Sequence, residues 1–407
     1  MSVLIIGAGG VAHVAAHKCA QNNDQLGDIY IASRTLSKCQ AIVDSIERKH
    51  SKKIPSYDII SREINARNIP DVIKLLTRVR PDIVLNLGSP FLNMSVLEAC
   101  IETGTPYIDT AIHEEPDRVA SICEPPPWYG NYEWKRKNRC SQKGITAIIG
   151  IGFDPGVVNA YAAYAQKKFR SIKSIDILDV NVGCHGKYFA TNFDPEINFR
   201  EFTGIAYQWI DRKWAPIKPF TEKIEYDFPE VGLQTVYMTG HDELHSLSQN
   251  LDVPTIRFWM GFSDHYINVF TVLKNIGLLS EKPLTTAEGI TIEPIKIVKA
   301  CLPDPMSLAA KYTGKTCIGC LIKGIPLDLK KSETIFIYNV CDHKTCFNEV
   351  ESQAISYTAG VPAVAAAILM LQGTWNPKTM VNVEELEPEP LINLMTSMGL
   401  PTNIRMS

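Results

Sequence analysis

The first residues leave the chain few alternatives. Val3-Leu4-Ile5-Ile6 is an unbroken apolar run, as expected of a parallel strand buried on both faces. It leads into Gly7-Ala8-Gly9-Gly10-Val11-Ala12 and then a helical stretch from Ala12 to Asn22. Strand, glycine turn and helix in this order, with the spacing G-x-G-x-x-A, open a dinucleotide-binding βαβ unit. Gly7 permits the tight turn, and Gly9 lets a pyrophosphate approach the backbone. The small Ala12 lets helix and strand close on each other. The first N–H groups of the helix, beside Gly10 and Val11, donate to the phosphate.

The second strand selects the dinucleotide. Ile29-Tyr30-Ile31-Ala32 ends in Ser33-Arg34-Thr35, where an NAD site usually carries an acid for the ribose 2′-hydroxyl. Arg34 suits a 2′-phosphate, Ser33 and Thr35 can donate to its oxygens, and Lys38 lies one turn on. Asp28 falls before the strand, on the wrong side. The expected cofactor is NADP(H).

Helices over 70–80 and 93–104 alternate with strands over 82–87, 106–110 and 146–150. This alternation predicts an α/β fold with a Rossmann-type doubly wound parallel sheet. Ligands of such sheets sit beyond the carboxyl ends of the strands. Gly88, Ser89, Pro90, Asp109 and Thr110 are therefore assigned to the cofactor, and the Gly152–Gly156 turn to the substrate. An irregular stretch over 113–140, with Trp128, Tyr129, Tyr132 and Trp134, reads as a lid or an interface. After about residue 153 the pattern changes. A helix over 157–168 precedes strand-like runs at 174–180, 207–210, 223–226, 235–239, 257–262, 316–323 and 334–339. They predict a second α+β domain built on a mostly antiparallel sheet. The expected division is a dinucleotide-binding domain over 1–152 and a substrate-binding and dimerisation domain over 153–352. C-terminal helices over 353–407, beginning with an Ala-rich apolar one, are expected to pack back on the first domain.

Charge and composition exclude other classes. Lys and Arg total 41 against 44 Asp and Glu, a net charge of −3, without the basic excess of a nucleic-acid binder. The longest apolar run, 359–371, contains Gly and Pro and falls short of the roughly 18 residues of a membrane span. The first residues lack a cationic leader, so the 11 cysteines are expected as reduced thiols in the cytoplasm. Cys317 and Cys320, with Cys341, His343 and Cys346 further on, have spacings open to zinc. Cys317 and Cys320 fall in a strand-like run whose alternate faces diverge, so no metal is expected.

The glycine fingerprint combines with Gly152-Phe153-Asp154-Pro155-Gly156, His185-Gly186-Lys187, Ala190-Thr191-Asn192-Phe193, Pro195-Glu196-Ile197-Asn198 and Gly360-Val361-Pro362. Together these resemble the saccharopine dehydrogenase family over nearly the whole chain. Leu302–Pro305, Tyr338–His343 and Gln353–Tyr357 resemble its polyamine-forming branch. Ala12 stands where a third Gly is usual, an accepted alternative, and the 113–140 segment diverges. The resemblance implies condensation of aspartate β-semialdehyde with a diamine, 1,3-diaminopropane or putrescine, and reduction of the imine by NADPH in a homodimeric enzyme. Two alternatives stay open: a reductase joining aminoadipate semialdehyde to glutamate, and a non-catalytic NADP-sensing module.

Such substrates set requirements on the residues. A carboxylate calls for an Arg or a helix N-terminus, supplied by Arg200 or by the turn at Gly156. Ammonium groups call for carboxylates, and Asp154, Asp179, Asp194 and Glu196, with Asp109, are the candidates. Pro155, Asn159 and Asn192 complete the expected substrate contacts. His185 and Lys187 are the candidate acid–base residues, with Tyr161 a weaker one.

Overall fold

The computed structural model describes residues 1–50, 58–115 and 126–406. The opening apolar run forms β1 (Ser2–Ile6), with Val3 to Ile6 buried. Both its edges are paired: Val3 lies opposite Ile29 on one side and Ile83 on the other. On the first side follow β2 (Asp28–Ser33) and β3 (Ile59–Glu63). On the second lie β4 (Ile83–Asn86), β5 (Tyr107–Asp109) and β6 (Ala147–Ile149). A late strand, Met380–Asn382, extends the sheet beyond β6. All seven strands are parallel. The order β3-β2-β1-β4-β5-β6 reverses at β1, so the loops after β1 and β4 part and leave a crevice at the carboxyl ends. β3 goes unnoticed in the sequence because Ile59-Ile60-Ser61-Arg62-Glu63 offers only two apolar residues.

The second sheet has nine strands around one long strand, β7 (Phe169–Cys184). Thr255–Gly261 runs parallel to β7 on one side, and Thr313–Pro326 runs antiparallel on the other. The remaining pairings are antiparallel. The helix Val157–Lys168 joins the two sheets and packs on β7 and Thr313–Pro326. The last strand, Asn403–Met406, pairs with Glu333–Asp342 in the second sheet. The C-terminal stretch, expected to pack back on the first domain, contributes a strand to each sheet.

Helix Ala354–Leu371 is the most apolar element. With 18 residues and a mean hydropathy of 1.8 it is longer than the apolar run suggests and meets the length and composition of a membrane span, yet 78% of it is buried inside the protein. It packs against α1 (Gly10–Gln21). Two glycines set the approach. A Cβ on Gly360 would meet Val14 at 2.9 Å, and one on Gly10 would collide with Ser356 Oγ. Close packing is thus assigned to Gly10 as well as to the buried Ala12. Interiors this tight resist added volume, at a cost of about 1–3 kcal/mol. Gly360→Ala is expected to lower the unfolding free energy by that amount in urea denaturation, with an unchanged slope.

Candidate active site

A cleft of about 1340 Å³ lies between the two sheets, over the carboxyl ends of β1, β2 and β4. In its first half the backbone itself is the ligand. Gly7 has φ +127°, and a Cβ there would meet Leu87 O at 2.5 Å, so only glycine fits. A Cβ on Gly9 would meet nothing within 4 Å, because that position faces the open cleft. No side chain caps the start of α1, which leaves its first N–H groups and its positive end for an anion. Gly7, Gly9, Gly10 and Val11 line the cleft, and Ala12 lies buried beneath.

At the end of β2, Thr35 N–H donates to Ser33 Oγ (3.1 Å), a turn that leaves Arg34 exposed at the rim. Lys38 is half-exposed and pairs with Asp304 (3.0 Å). Gly88, Ser89, Pro90 and Thr110 also line this half. A guanidinium with no ion-pair partner among the described residues, beside two hydroxyls and next to an uncapped helix start, fits an adenosine 2′-phosphate and a pyrophosphate. Asp109 departs from expectation. It does not line the cleft, and both its oxygens are engaged: Tyr107 Oη donates to Oδ2 (2.9 Å) and Gly150 N–H to Oδ1 (2.7 Å). Burial raises its pKa to about 7. It is a structural carboxyl.

The second half holds most of the expected substrate residues, and several are corrected. Asp154, Pro155 and Asp179 line the cleft, whereas Gly156 and Asn159 do not. Asn159 Oδ1 accepts from Gly156 N–H (2.9 Å), and its Nδ2 donates to Glu384 (2.8 Å). That helix start is already capped and offers no anion site. Arg200 borders the cleft, but its buried guanidinium faces Glu114 (3.4 Å), Glu196 (3.2 Å) and Glu281 (3.1 Å) and lies 4.8 Å over Phe91. A cation among three carboxylates is a counter-ion rather than an open seat for a substrate carboxylate. Glu196 lies behind the wall, shared between Arg200 and Lys299. Asp194 lines the cleft, caps helix Pro195–Thr203 and pairs with Lys299 (2.8 Å).

His185 lines the cleft against the Tyr312 ring at 5.4 Å, and burial and Lys187 push its pKa down. Lys187 is exposed and does not line the cleft; its N–H donates to His185 Nδ1 (3.2 Å). Tyr161 is buried outside the cleft against Thr402.

Asn192 sits at the end of a directional chain. Ala354 N–H donates to His343 Nδ1 (3.1 Å), so the imidazole proton is on Nε2 and goes to Asn181 Oδ1 (2.7 Å). Asn181 Nδ2 donates to Tyr312 Oη (2.8 Å), which donates to Asn192 Oδ1 (2.7 Å). Burial holds His343 neutral, its pKa down at about 4.

The strongest constellation joins the expected Asp154 and Asp179 to two residues the sequence reading missed, His241 and Glu243. Strand Gly232–Thr239 ends just before Gly240-His241-Asp242-Glu243. His241 lines the cleft with Asp154 and Asp179, stacks on Phe258 at 4.1 Å, and binds Glu243 through Nδ1 (2.6 Å). Burial pulls its pKa down, but Glu243, Asp154 and Glu201 overcome that and hold it well above the usual range. Burial and Asp179 push Asp154 up, and burial with Glu243 lifts Asp179 to about 7 against the pull of His241. The available signal was position: a His-Asp-Glu run directly behind a strand end.

Residues 116–125 of the irregular stretch lie outside the described residues; His113, Glu114, Trp128 and Tyr132 from its described parts line the cleft. Cys341 and Cys346 bring their sulfurs to 3.2 Å, and Cys320 Sγ donates to Val158 O (3.4 Å). Among the described residues no three His, Cys, Asp or Glu side chains are arranged to hold a metal.

Comparison with known proteins shows the family. Residues 3–148 match the saccharopine dehydrogenase NADP binding domain and residues 152–400 the saccharopine dehydrogenase C-terminal domain. The carboxynorspermidine synthase of Vibrio cholerae is 45% identical, over 98% of this chain and 96% of the relative. That of Vibrio alginolyticus is 44% identical, over 100% and 97%. The carboxyaminopropylagmatine dehydrogenase of Synechocystis is 41% identical, over 98% and 96%. The structure of apo saccharopine dehydrogenase (L-Glu forming) from Saccharomyces cerevisiae superposes with a TM-score of 0.67 at 14% identity, over 100% of this chain and 99% of that one.

Two outcomes are expected. A charge-assisted hydrogen bond contributes about 1.5–3 kcal/mol, so Arg34→Ala should weaken NADPH binding about 10–150-fold in a fluorescence titration and leave NADH binding nearly unchanged. The folded Asp109 keeps its proton up to about pH 7, whereas the unfolded residue releases it near 3.8. The wild type therefore loses stability as pH rises between these values and loses no more above them. Asp109→Asn should flatten this decline, gaining at most about 4 kcal/mol on the wild type above neutrality in denaturation measured across pH.

Proposed function

The chain belongs to the saccharopine dehydrogenase family, and from that premise we propose that it is an NADPH-dependent oxidoreductase of polyamine biosynthesis. It joins aspartate β-semialdehyde to a primary amine and reduces the imine, giving carboxynorspermidine from 1,3-diaminopropane or carboxyspermidine from putrescine. The observation that carries this reading is the polarity of the cleft. One half offers an uncapped helix start and Arg34 to an anionic cofactor. The other carries the carboxyls of Asp154 and Asp179 on its wall. A site that must take two amino-acid head groups would need open cations there, and Arg200 is already enclosed by three carboxylates.

Bound NADPH supplies the hydride that reduces the imine. The residues of this chain hold and orient the reactants. The turn from Gly7 to Val11, with Ser33, Arg34 and Thr35, fixes the cofactor. Asp154 and Asp179 receive the amine and draw its nitrogen into the cleft. The Asn192 amide, its oxygen committed to Tyr312, presents its NH₂ as a neutral donor to the carboxylate of the semialdehyde. Trp128 and Tyr132 form part of the wall that limits water. On the same reading the enzyme works in the cytoplasm, where its described cysteines, all free thiols, stay reduced, and as a homodimer through its second sheet.

Chain length and end group of the amine are the open choice, because one methylene changes binding by only about 1–3 kcal/mol, and the Synechocystis relative carries agmatine in its name. The test mixes protein, NADPH and aspartate β-semialdehyde with 1,3-diaminopropane, putrescine or agmatine, and separately combines aminoadipate semialdehyde with glutamate. Loss of nicotinamide absorbance with one or more of the amines is expected. Turnover only with glutamate would sink the polyamine reading, and NADPH binding with no turnover would favour a sensor.

A further inference from the structure

Condensing an ammonium with an aldehyde moves protons without consuming any. The ammonium must lose a proton before its nitrogen attacks the carbonyl carbon and the C–N bond forms. The carbinolamine must then gain a proton on its hydroxyl, so that the C–O bond breaks and water leaves. Ammonium and iminium carry the same charge, so the proton removed first equals the proton supplied second. A site that takes and gives in one place needs no exchange with solvent.

We propose that Asp179 and His241 form such a self-resetting proton couple. Asp179 takes the proton of the ammonium, His241 gives one to the carbinolamine hydroxyl, and Asp179 then returns its proton to His241. The inference rests on the reductive-condensation reading above. The two groups line one cleft, and each acts on the other through its charge. Asp179 lines the cleft, and its Oδ1, buried in the wall, receives no hydrogen bond among the described residues, so the carboxyl is not committed to a protein donor there. His241 Nδ1 is held by Glu243 at 2.6 Å, which leaves Nε2 as the donating nitrogen, and the Phe258 ring at 4.1 Å fixes the plane of the imidazole. Both residues line the same cleft. The charged neighbours keep the couple poised. Glu243 from the start of helix Glu243–Asn250, Asp154 from the turn after β6, and Glu201 from helix Pro195–Thr203 all favour the protonated His241. Asp242, which also lines the cleft, accepts from Ile112 N–H (2.8 Å). His245, on the same helix, has its own pKa pushed down to about 3 by burial and by His241 and stays neutral.

Acid–base groups of this kind contribute about 10²–10⁴-fold. The wild-type kcat, followed as NADPH consumption with aspartate β-semialdehyde and the preferred amine, is expected to rise with pH through about 7 as Asp179 ionises. Asp179→Asn should remove that limb and lower kcat about 10²–10⁴-fold with NADPH affinity unchanged. His241→Gln should lower kcat over the same range, and His241→Ala should be partly rescued by added imidazole. Because these His241 variants leave Glu243 buried without its cation, the Glu243→Gln/His241→Gln double variant is measured beside them and should show the same kcat loss with NADPH affinity retained. Wild-type turnover with kcat in the variants within threefold and the acid limb unmoved would overturn the couple alone. Loss of NADPH affinity together with kcat in all variants would make the cluster structural and also overturn it. Absence of wild-type turnover with every amine would overturn the underlying reading, and the couple with it.

Discussion

The contact between α1 and helix Ala354–Leu371 holds the rest of the molecule in place. Gly10 and Gly360 remove the side chains that would keep these helices apart. Buried Lys18 then ties α1 to Glu349 and to Met398 O, and Tyr357 Oη donates to the same Glu349 (2.7 Å). The phosphate-binding turn at the head of α1 is thereby fixed against the C-terminal part of the chain. The late helix follows directly on Gln353, which bonds Asn192 O (2.9 Å) and Pro305 O (3.2 Å) at the edge of the second half of the cleft. A reaction that brings a nicotinamide and an imine together within bonding distance depends on such a joint, because small displacements between cofactor and substrate cost large factors in rate.

The cleft is divided by charge. Its cofactor half presents backbone N–H groups and Arg34, and its other half presents carboxylates. The basic residues in that second half are absorbed by acids. Arg200 is ringed by Glu114, Glu196 and Glu281, and Lys299 by Asp194 and Glu196. Cations held this way orient their carboxylate neighbours. This is a use of charge that a sequence does not distinguish from an open anion site, because the identity of Arg200 is the same in both.

Asp109 and Asp179 make a related point. Burial raises both to about 7. In Asp109 each oxygen is committed to a donor of the first sheet, and the side chain lies outside the cleft. In Asp179 one oxygen has no donor among the described residues and the side chain borders the cleft. A perturbed carboxyl becomes functional through what its oxygens are left to do, rather than through the size of its shift.

The sequence by itself determined the opening of the first sheet, its parallel character and its ligand. An apolar strand, a G-x-G-x-x-A turn and a strand ending in Ser33-Arg34-Thr35 are local patterns. Their physics, φ freedom at Gly7 and a guanidinium in place of an acid, acts within a few residues. The mostly antiparallel character of the second sheet was legible for the same reason, in runs of alternating strand formers. The substrate half was decided only by tertiary structure. His241 and Glu243 from the segment after Gly232–Thr239, Asp154 from the turn after β6 and Asp179 from β7 meet at one place, and their charge states exist only because desolvation and proximity act on them together. Asn159, Gly156 and Lys187 sit in suggestive motifs, yet the fold turns them into caps and surface. Which of two neighbouring polar residues faces the cleft depends on strand register and helix phase across the whole chain, and no local pattern records it.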